Sequence, residues 1–178
     1  MKRALIFDYD GTLIDTESIE FECWQRVYAE QDQALELKDL LHVIGGAVQV
    51  DMRAELERRL GRSLDWAPIN ERRLTHYYGL FEGLDLLPGV RRLFKEATER
   101  GWAIGMASNS SRAWVERGLS RFGLLDKVGS LRCRDTASRP KPDPAPFAEA
   151  VADLGAEPAV SIAFEDSATG VASVAASG

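Results

Sequence analysis

The chain has 178 residues, a formal net charge of -6 and 45% hydrophobic residues. This length can bury a substantial core in one domain with a small insertion, and the negative charge argues against nucleic acid as a partner. No apolar stretch approaches the roughly 20 residues of a membrane span, and no secretory apolar segment precedes the first predicted strand. We therefore expect a cytoplasmic protein with no membrane partner, in which the two cysteines pack as small apolar groups.

The first predicted element is a buried strand at residues 4–7 that ends in a pair of carboxylates. Asp8 and Asp10 follow the apolar run, and Gly11 lets the chain turn sharply after them. Open α/β sheets bind ligands at the carboxyl ends of their strands. Two carboxylates at this spacing repel each other unless a cation lies between them or one is protonated. An ordinary turn capped by aspartates contains the same residues, so the pair alone leaves both interpretations open.

A long helical block follows this first strand. Residues 16–82 contain no convincing strand, and their apolar residues recur at helical spacing, as at Ile19 and Cys23. We predict that the block is a separate, inserted helical domain. Residues 1–15 and 83–178 then form the core domain.

The core resumes with alternating helices and strands. Further strands are predicted at residues 102–107, 128–132 and 160–164, and a helical pattern separates each from the next. Right-handed crossovers between such strands give an α/β fold with a doubly wound parallel sheet.

Polar residues that are capable of binding or catalysis follow these strands. Ser108 and Asn109 follow the second strand, Glu165 and Asp166 follow the last, and Lys141 begins a Lys-Pro-Asp-Pro loop. Each has an ordinary explanation as a helix cap, a favourable charge at a helix start or a solvated loop charge. Their arrival in this order, at the strand ends of one α/β chain, favours a catalytic site.

Four motifs carry a resemblance to the haloacid dehalogenase superfamily, within the subgroup that holds β-phosphoglucomutase-like phosphatases. In chain order they are Asp8-Tyr-Asp-Gly-Thr12, Ser108-Asn109, Lys141-Pro-Asp-Pro144 and Glu165-Asp166-Ser-Ala-Thr-Gly170. The first and fourth are specific, whereas the second and third are weak alone. The resemblance spans nearly the whole chain. It implies a Rossmann-type core with an α-helical cap domain, and a phosphatase that hydrolyses a small phosphomonoester such as a sugar phosphate.

The resemblance also implies chemical roles for the carboxylates. Asp8 would be the nucleophile that forms an aspartyl-phosphate. Asp10 would protonate the leaving alcohol and later take a proton from the attacking water. Asp8, the backbone carbonyl of Asp10 and Asp166 would bind Mg²⁺, with Glu165 beside them, since an all-oxygen shell suits this ion.

The phosphoryl group would be bound by the side chains of Ser108 and Lys141 and by the backbone N–H groups of Tyr9 and Asn109. Thr12 would hold Asp10 in place beside the phosphate. In the helical block, Arg53 is the one contact to a substrate phosphate that we name.

A phosphomutase of the β-phosphoglucomutase type is the alternative within the same family. Such mutases have a histidine at the position matching Glu20, and a lysine and an arginine in the cap loop near Ile44 to Asp51. This chain has neither feature, and residues 16–83 hold more acidic than basic side chains. A second phosphate needs cations, so these departures favour a phosphatase.

Other chemistries and classes fit less well. Family members that release halide lack an aspartate at the position of Asp10. Those that hydrolyse phosphonates use a cap lysine, and Lys38, the only lysine in the block, lies in an ordinary helical surface pattern. A phosphoacceptor signalling domain has no use for the long inserted block, and a non-catalytic binding protein would have lost its nucleophile or metal ligands.

The end of the chain gives a last expectation. Family members usually continue with another strand and helix after the predicted helix that ends near Gly178. We expect either that residues 160 to 165 form an open sheet edge in a monomer or weak dimer, or that the natural protein is longer.

Overall fold

The computed structural model describes residues 1–39 and 51–178, so most of the predicted cap loop from Ile44 to Asp51 lies outside the described residues. No helix within these ranges is both long and apolar enough to cross a membrane. In chain order the elements are β1 (Ala4–Phe7), α1 (Thr16–Ala29), α2 (Met52–Leu60), α3 (Trp66–Phe81), α4 (Val90–Glu99), β2 (Ala103–Ala107), α5 (Arg112–Arg121), β3 (Ser130–Arg132), α6 (Ala145–Asp153), β4 (Ile162–Phe164) and α7 (Ala168–Ala176).

The chain divides into two compact units. One is formed by Met1–Asp15 together with Asp85–Gly178, and the other by Thr16–Leu84. We call them the core unit and the helical unit. That residues 16–82 act as a cap domain stays a prediction.

The core unit is a parallel sheet with helices on both faces. Its strand order is β3-β2-β1-β4, with all pairs parallel. Ala4 and Ile6 of β1 pack against Phe147 of α6, whereas Phe7 stacks on Phe94 of α4 with ring centroids 5.2 Å apart. Because successive strand side chains point to opposite faces, α4 and α6 cover opposite sides of the sheet. The predicted doubly wound α/β fold is therefore confirmed.

Strand β4 is shorter than predicted and lies at the edge of the sheet. Pro158–Val160 form a turn of 3₁₀ helix instead of extended chain. The Ser161 hydroxyl then donates to the Glu157 carbonyl at 2.8 Å and accepts from the Ala4 N–H at 3.2 Å, so the ladder begins only at Ile162. In the described part of the chain β4 pairs with β1 alone, as expected for an open edge. Self-association through this edge stays a prediction.

The helical unit has its own apolar core. Trp24, Tyr28, Leu56 and Ile69 come together from α1, α2 and α3. Aspartates cap the starts of α2 and α3, where the side chain of each accepts backbone N–H groups of the first helical turn.

Candidate active site

Three strands deliver the predicted site residues to one edge of the sheet. Asp8 follows β1, Ser108 follows β2, and Glu165 follows β4. The Asp8 N–H donates to the carbonyl of Phe164 at 2.9 Å, so the ends of β1 and β4 are tied together just before their carboxylates. Parallel strands end at the same edge, which is why residues far apart in sequence meet here.

Lys141 lies between two of these carboxylates. Its Nζ is 2.7 Å from Asp8 Oδ1 and 2.5 Å from Glu165 Oε2. All three side chains are buried, with Lys141 only 4% exposed. Buried charges require partners, and here each carboxylate has the ammonium group as its partner.

Asn109 fixes the backbone at Lys141. Its Oδ1 accepts the Lys141 N–H at 2.9 Å, and its Nδ2 donates to the Lys141 carbonyl at 3.2 Å. Sequence reasoning gave Asn109 only a backbone role towards phosphate. The structure shows in addition that its side chain holds the loop that presents the lysine.

The site has more negative charge than Lys141 can balance. Asp8, Glu165 and Asp166 offer carboxylate oxygens that all lie within 4.8 Å of one another. The pKa of Asp8 is raised to about 7, because burial and, to a smaller extent, the neighbouring Glu165 outweigh the opposing effect of Lys141. Burial also raises the pKa of Asp166. A cluster of oxygen donors with excess negative charge is a suitable site for a divalent cation.

Two glycines leave room for these carboxylates. A Cβ on Gly11 would lie 2.2 Å from Asp166 Oδ2, and the φ of Gly11 is +75°, a conformation that other residues rarely adopt. A Cβ on Gly170 would lie 1.9 Å from the Glu165 carboxyl carbon. The glycines of the first and fourth motifs thus allow close approach between backbone and carboxylate.

Asp10 does not join the carboxylate cluster through its side chain. Its Oδ2 accepts from the Ser110 hydroxyl at 2.5 Å, and its Oδ1 accepts from the Trp114 indole N–H at 3.1 Å. The expectation that Thr12 holds Asp10 is wrong for this structure, because the Thr12 hydroxyl donates to Asp166 Oδ1 at 2.8 Å. Thr12 is thus a partner of a proposed metal ligand.

Ser110 and Trp114 are site residues that sequence reasoning missed. Ser110 lies two residues beyond the second motif, and Trp114 lies in the first turn of α5. A tryptophan in the first turn of a helix is typical of core packing, so its position in the sequence did not indicate that Trp114 belongs to the site. The polar run Ser108-Asn-Ser-Ser111 was the only available hint.

The other predicted site residues have local partners. Ser108 is buried, and its Oγ accepts the Ser110 N–H at 3.1 Å. The side chain of Tyr9 is fully buried against α5, where a Cβ on Gly118 would lie 1.5 Å from the Tyr9 hydroxyl oxygen. The roles of Ser108 and of the Tyr9 backbone towards phosphate stay predictions.

In the helical unit, Arg53 and Lys38 are both exposed. The Arg53 guanidinium donates to Asn70 Oδ1 at 3.3 Å and lies over the Trp66 ring. Lys38 pairs with Glu36 at 2.7 Å, and this hydrogen bond raises the pKa of Lys38. A lysine that forms a Schiff base must lose its proton, so these surroundings do not suit that role.

Comparisons with known proteins identify the family of this chain. The family model of the haloacid dehalogenase-like hydrolases matches residues 2–178. The chain is 34% identical over 170 residues to YhcW of Bacillus subtilis (strain 168), whose phosphatase name is provisional, and the match covers 96% of this chain and 77% of that protein. It is 33% identical over 185 residues to hexitol phosphatase B of Escherichia coli (strain K12), covering 94% of this chain and 77% of the relative.

A solved structure shares the fold. The crystal structure of a Thermotoga maritima protein, provisionally named β-phosphoglucomutase, matches with a TM-score of 0.79 and 25% identity, covering 98% of this chain and 81% of that one. The family match spans the carboxylates, the lysine and the glycines that build the site. The chain therefore belongs to the haloacid dehalogenase-like hydrolases, as a phosphoric monoester hydrolase of that family.

Proposed function

We propose that this enzyme is a Mg²⁺-dependent phosphatase that hydrolyses a small sugar phosphate or similar phosphomonoester through an aspartyl-phosphate on Asp8. The observation that carries the proposal is the position of Lys141 Nζ, which contacts both Asp8 and Glu165 while Asp166 completes the cluster. Negative oxygens shield the phosphorus of a phosphomonoester, so an anionic nucleophile needs positive charge beside it.

The residues present fit a bound Mg²⁺. Asp8, Asp166 and the backbone carbonyl of Asp10 would hold the ion, and Glu165 would support it while it also pairs with Lys141. When bound, the ion would neutralise the cluster and polarise the phosphoryl group.

The reaction would proceed in two displacements at phosphorus. A carboxylate oxygen of Asp8 forms a bond to phosphorus while the bond from phosphorus to the alcohol oxygen breaks, and Asp10 gives its proton to that oxygen. A water oxygen then attacks the phosphorus, Asp10 takes a proton from this water, and the bond to Asp8 breaks to release inorganic phosphate. Both aspartates return to their starting forms.

Charge pairing in the helical unit supports a phosphatase over a mutase. Glu20 Oε1 and Oε2 accept from Arg73 Nη1 at 2.8 and 2.9 Å, so the side chain at the mutase histidine position neutralises a cation. In the described part of this unit, the lysine and arginine side chains with an acidic partner are Arg26, Lys38, Arg58, Arg59, Arg72 and Arg73. Cations already paired with carboxylates are poor anchors for a second phosphate. Arg53 remains our candidate for a substrate contact.

The helical unit would act as a cap that excludes water during attack by Asp8. The chain passes between the two units near Asp15 and Asp85, so these two connections would serve as hinges. Two short connections of this kind let a domain close and open as a rigid body.

A panel of phosphomonoesters tests the proposal. Hexitol phosphates, hexose phosphates and phosphoglycolate are assayed for phosphate release with and without Mg²⁺, together with β-glucose 1-phosphate for mutase activity. We expect Mg²⁺-dependent release from at least one polyol or sugar phosphate. Trapped aspartyl-phosphate that maps to Asp8 by mass spectrometry would support the covalent step. Interconversion of sugar phosphates without phosphate release would instead show a mutase.

A further inference from the structure

We propose that Trp114 and Ser110 are positioning residues for Asp10, which select the carboxyl oxygen that exchanges a proton with the substrate. The inference rests on the proposed function, in which Asp10 is the general acid and base. It concerns the two hydrogen bonds that reach this carboxylate from α5 and from the turn before it.

The two partners are chemically different, and this difference distinguishes the two oxygens of Asp10. The Trp114 indole N–H, 3.1 Å from Oδ1, can only donate a hydrogen bond. The oxygen that carries the acid proton is a weaker hydrogen-bond acceptor than the carbonyl oxygen, so the indole N–H favours Oδ1 as the unprotonated oxygen when Asp10 is neutral. The Ser110 hydroxyl, 2.5 Å from Oδ2, can donate or accept. The transferable proton therefore belongs on Oδ2.

Both partners are themselves held by backbone hydrogen bonds. The Ser110 N–H donates to Ser108 Oγ at 3.1 Å, and the Ser110 carbonyl accepts the Arg134 N–H at 3.0 Å. The Trp114 N–H donates to the Ser111 carbonyl at 3.1 Å, in the first turn of α5. The positions of the two donors are thus set by the fold and not by the substrate. They also connect the Asp10 carboxyl group to Ser108, the predicted phosphate-binding hydroxyl.

Fixing both oxygens matters because the carboxyl group otherwise rotates easily. The terminal torsion of an aspartate is broad, and Asp10 is only half-buried. A general acid acts only when its proton points at the leaving oxygen. Loss of either donor should therefore slow proton transfer while attack by Asp8 remains intact.

Leaving-group dependence separates this role from a structural one. Alkyl phosphates need a proton on the departing oxygen, whereas activated aryl phosphates such as p-nitrophenyl phosphate need much less help. For Ser110→Ala and Trp114→Phe we expect kcat/KM, which reports the steps up to departure of the alcohol, to fall roughly 10-fold or more for a hexitol phosphate and less than about 3-fold for p-nitrophenyl phosphate. Ser110→Thr keeps the hydroxyl and should restore most of the alkyl activity.

Ser111→Ala is the matched control. The Ser111 side chain caps α5 by accepting the Trp114 backbone N–H at 3.4 Å, and among the described residues it has no hydrogen bond to Asp10. The same N–H also donates to the Ser111 carbonyl at 3.1 Å, a bond that Ser111→Ala keeps, so the variant should lose stability and leave the aryl-to-alkyl ratio unchanged. Urea unfolding of each variant shows which ones are folded. If Trp114→Phe does not fold, the comparison of Ser110→Ala with Ser110→Thr still tests the positioning role.

Asp10→Asn distinguishes failure of this inference from failure of the proposed function. An aryl-selective Asp10→Asn variant beside Ser110→Ala and Trp114→Phe variants with the wild-type ratio would overturn the positioning role and leave the acid–base role intact. An Asp10→Asn variant that loses kcat/KM equally for aryl and alkyl phosphates would overturn both. Aryl selectivity in all three variants, reversed by Ser110→Thr, is the expected result.

Discussion

Asp8 and Asp10 are two residues apart, yet they have opposite surroundings. Asp8 is 9% exposed, contacts the ammonium of Lys141 and belongs to a cluster of three carboxylates. Asp10 is half-buried and accepts hydrogen bonds from two neutral donors, Ser110 and Trp114. The first environment combines burial with unbalanced charge, whereas the second supplies two neutral hydrogen-bond donors.

This contrast suits two different tasks. A nucleophile must be ionised and must approach an anionic phosphoryl group, which requires cations near Asp8. A general acid and base must gain and lose one proton, and neutral donors tolerate both states of Asp10. Two aspartates on one turn can therefore have separate roles, because each is surrounded by residues from different strands and loops.

Asp8→Asn should show the largest effect. The change removes the nucleophilic charge at nearly constant volume, so we expect turnover to fall by at least roughly 10⁴-fold for aryl and alkyl phosphates alike. Release of the alcohol and of phosphate from both substrates checks this, with Asp10→Asn as the comparison because it should spare alcohol release from the aryl substrate. Turnover like that of the wild type in Asp8→Asn would refute covalent catalysis.

Lys141→Met should give the next largest effect, on stability as well as activity. It leaves Asp8 and Glu165 buried without their shared cation, and removing one partner of a buried ion pair costs about 3–5 kcal/mol. The free energy of unfolding in urea without metal measures this loss. Lys95→Met is the control, since Lys95 is 74% exposed and its ion pair with Glu99 is at 3.8 Å. A similar loss of unfolding free energy in both variants would mean that the buried ion pairs stabilise the protein no more than an exposed one.

The raised pKa of Asp8 predicts a pH dependence of stability. Because burial raises this pKa from 3.8 to about 7, the folded protein holds the proton more tightly than the unfolded chain does. Metal-free wild type should therefore lose stability relative to Asp8→Asn as the pH rises from about 4 to about 7, by more than about 1 kcal/mol. Chemical unfolding of both proteins over this range gives the difference. It should shrink in Mg²⁺, and a constant difference without metal would contradict the burial argument.

The positions of the site residues that follow directly after strands could be predicted from the sequence. Apolar runs located the strands, and the carboxyl ends of parallel strands then placed Asp8, Ser108 and Glu165 together. Motif glycines were recognised only as turn formers. Their closeness to carboxylates depends on tertiary packing, as the approach of Asp166 to Gly11 shows.

The partners of Asp10 could not be predicted in this way. Thr12 is the nearer hydroxyl in sequence and was expected to hold Asp10, but it donates to Asp166 instead. The actual partners are about one hundred residues away along the chain, and which donor reaches which oxygen depends on how α5 packs after β2. Helical periodicity gives the buried face of α5 but not the direction of the Trp114 indole N–H.

Tyr9, between the two aspartates, should give the smallest effect. Its side chain is fully buried, and among the described residues its hydroxyl has no hydrogen-bond partner. Removal of an unpaired buried hydroxyl loses no hydrogen bond, so Tyr9→Phe should raise the free energy of unfolding by up to about 1 kcal/mol and leave turnover unchanged. Tyr28→Phe is the matched control, because Tyr28 is equally buried but donates to the Met52 carbonyl at 3.0 Å. That variant should lose about 1 kcal/mol, since it removes a buried hydrogen bond. Equal losses in the two variants would show that the Tyr9 hydroxyl also has a partner, such as an ordered water, and that the turn between the aspartates is held by more than packing.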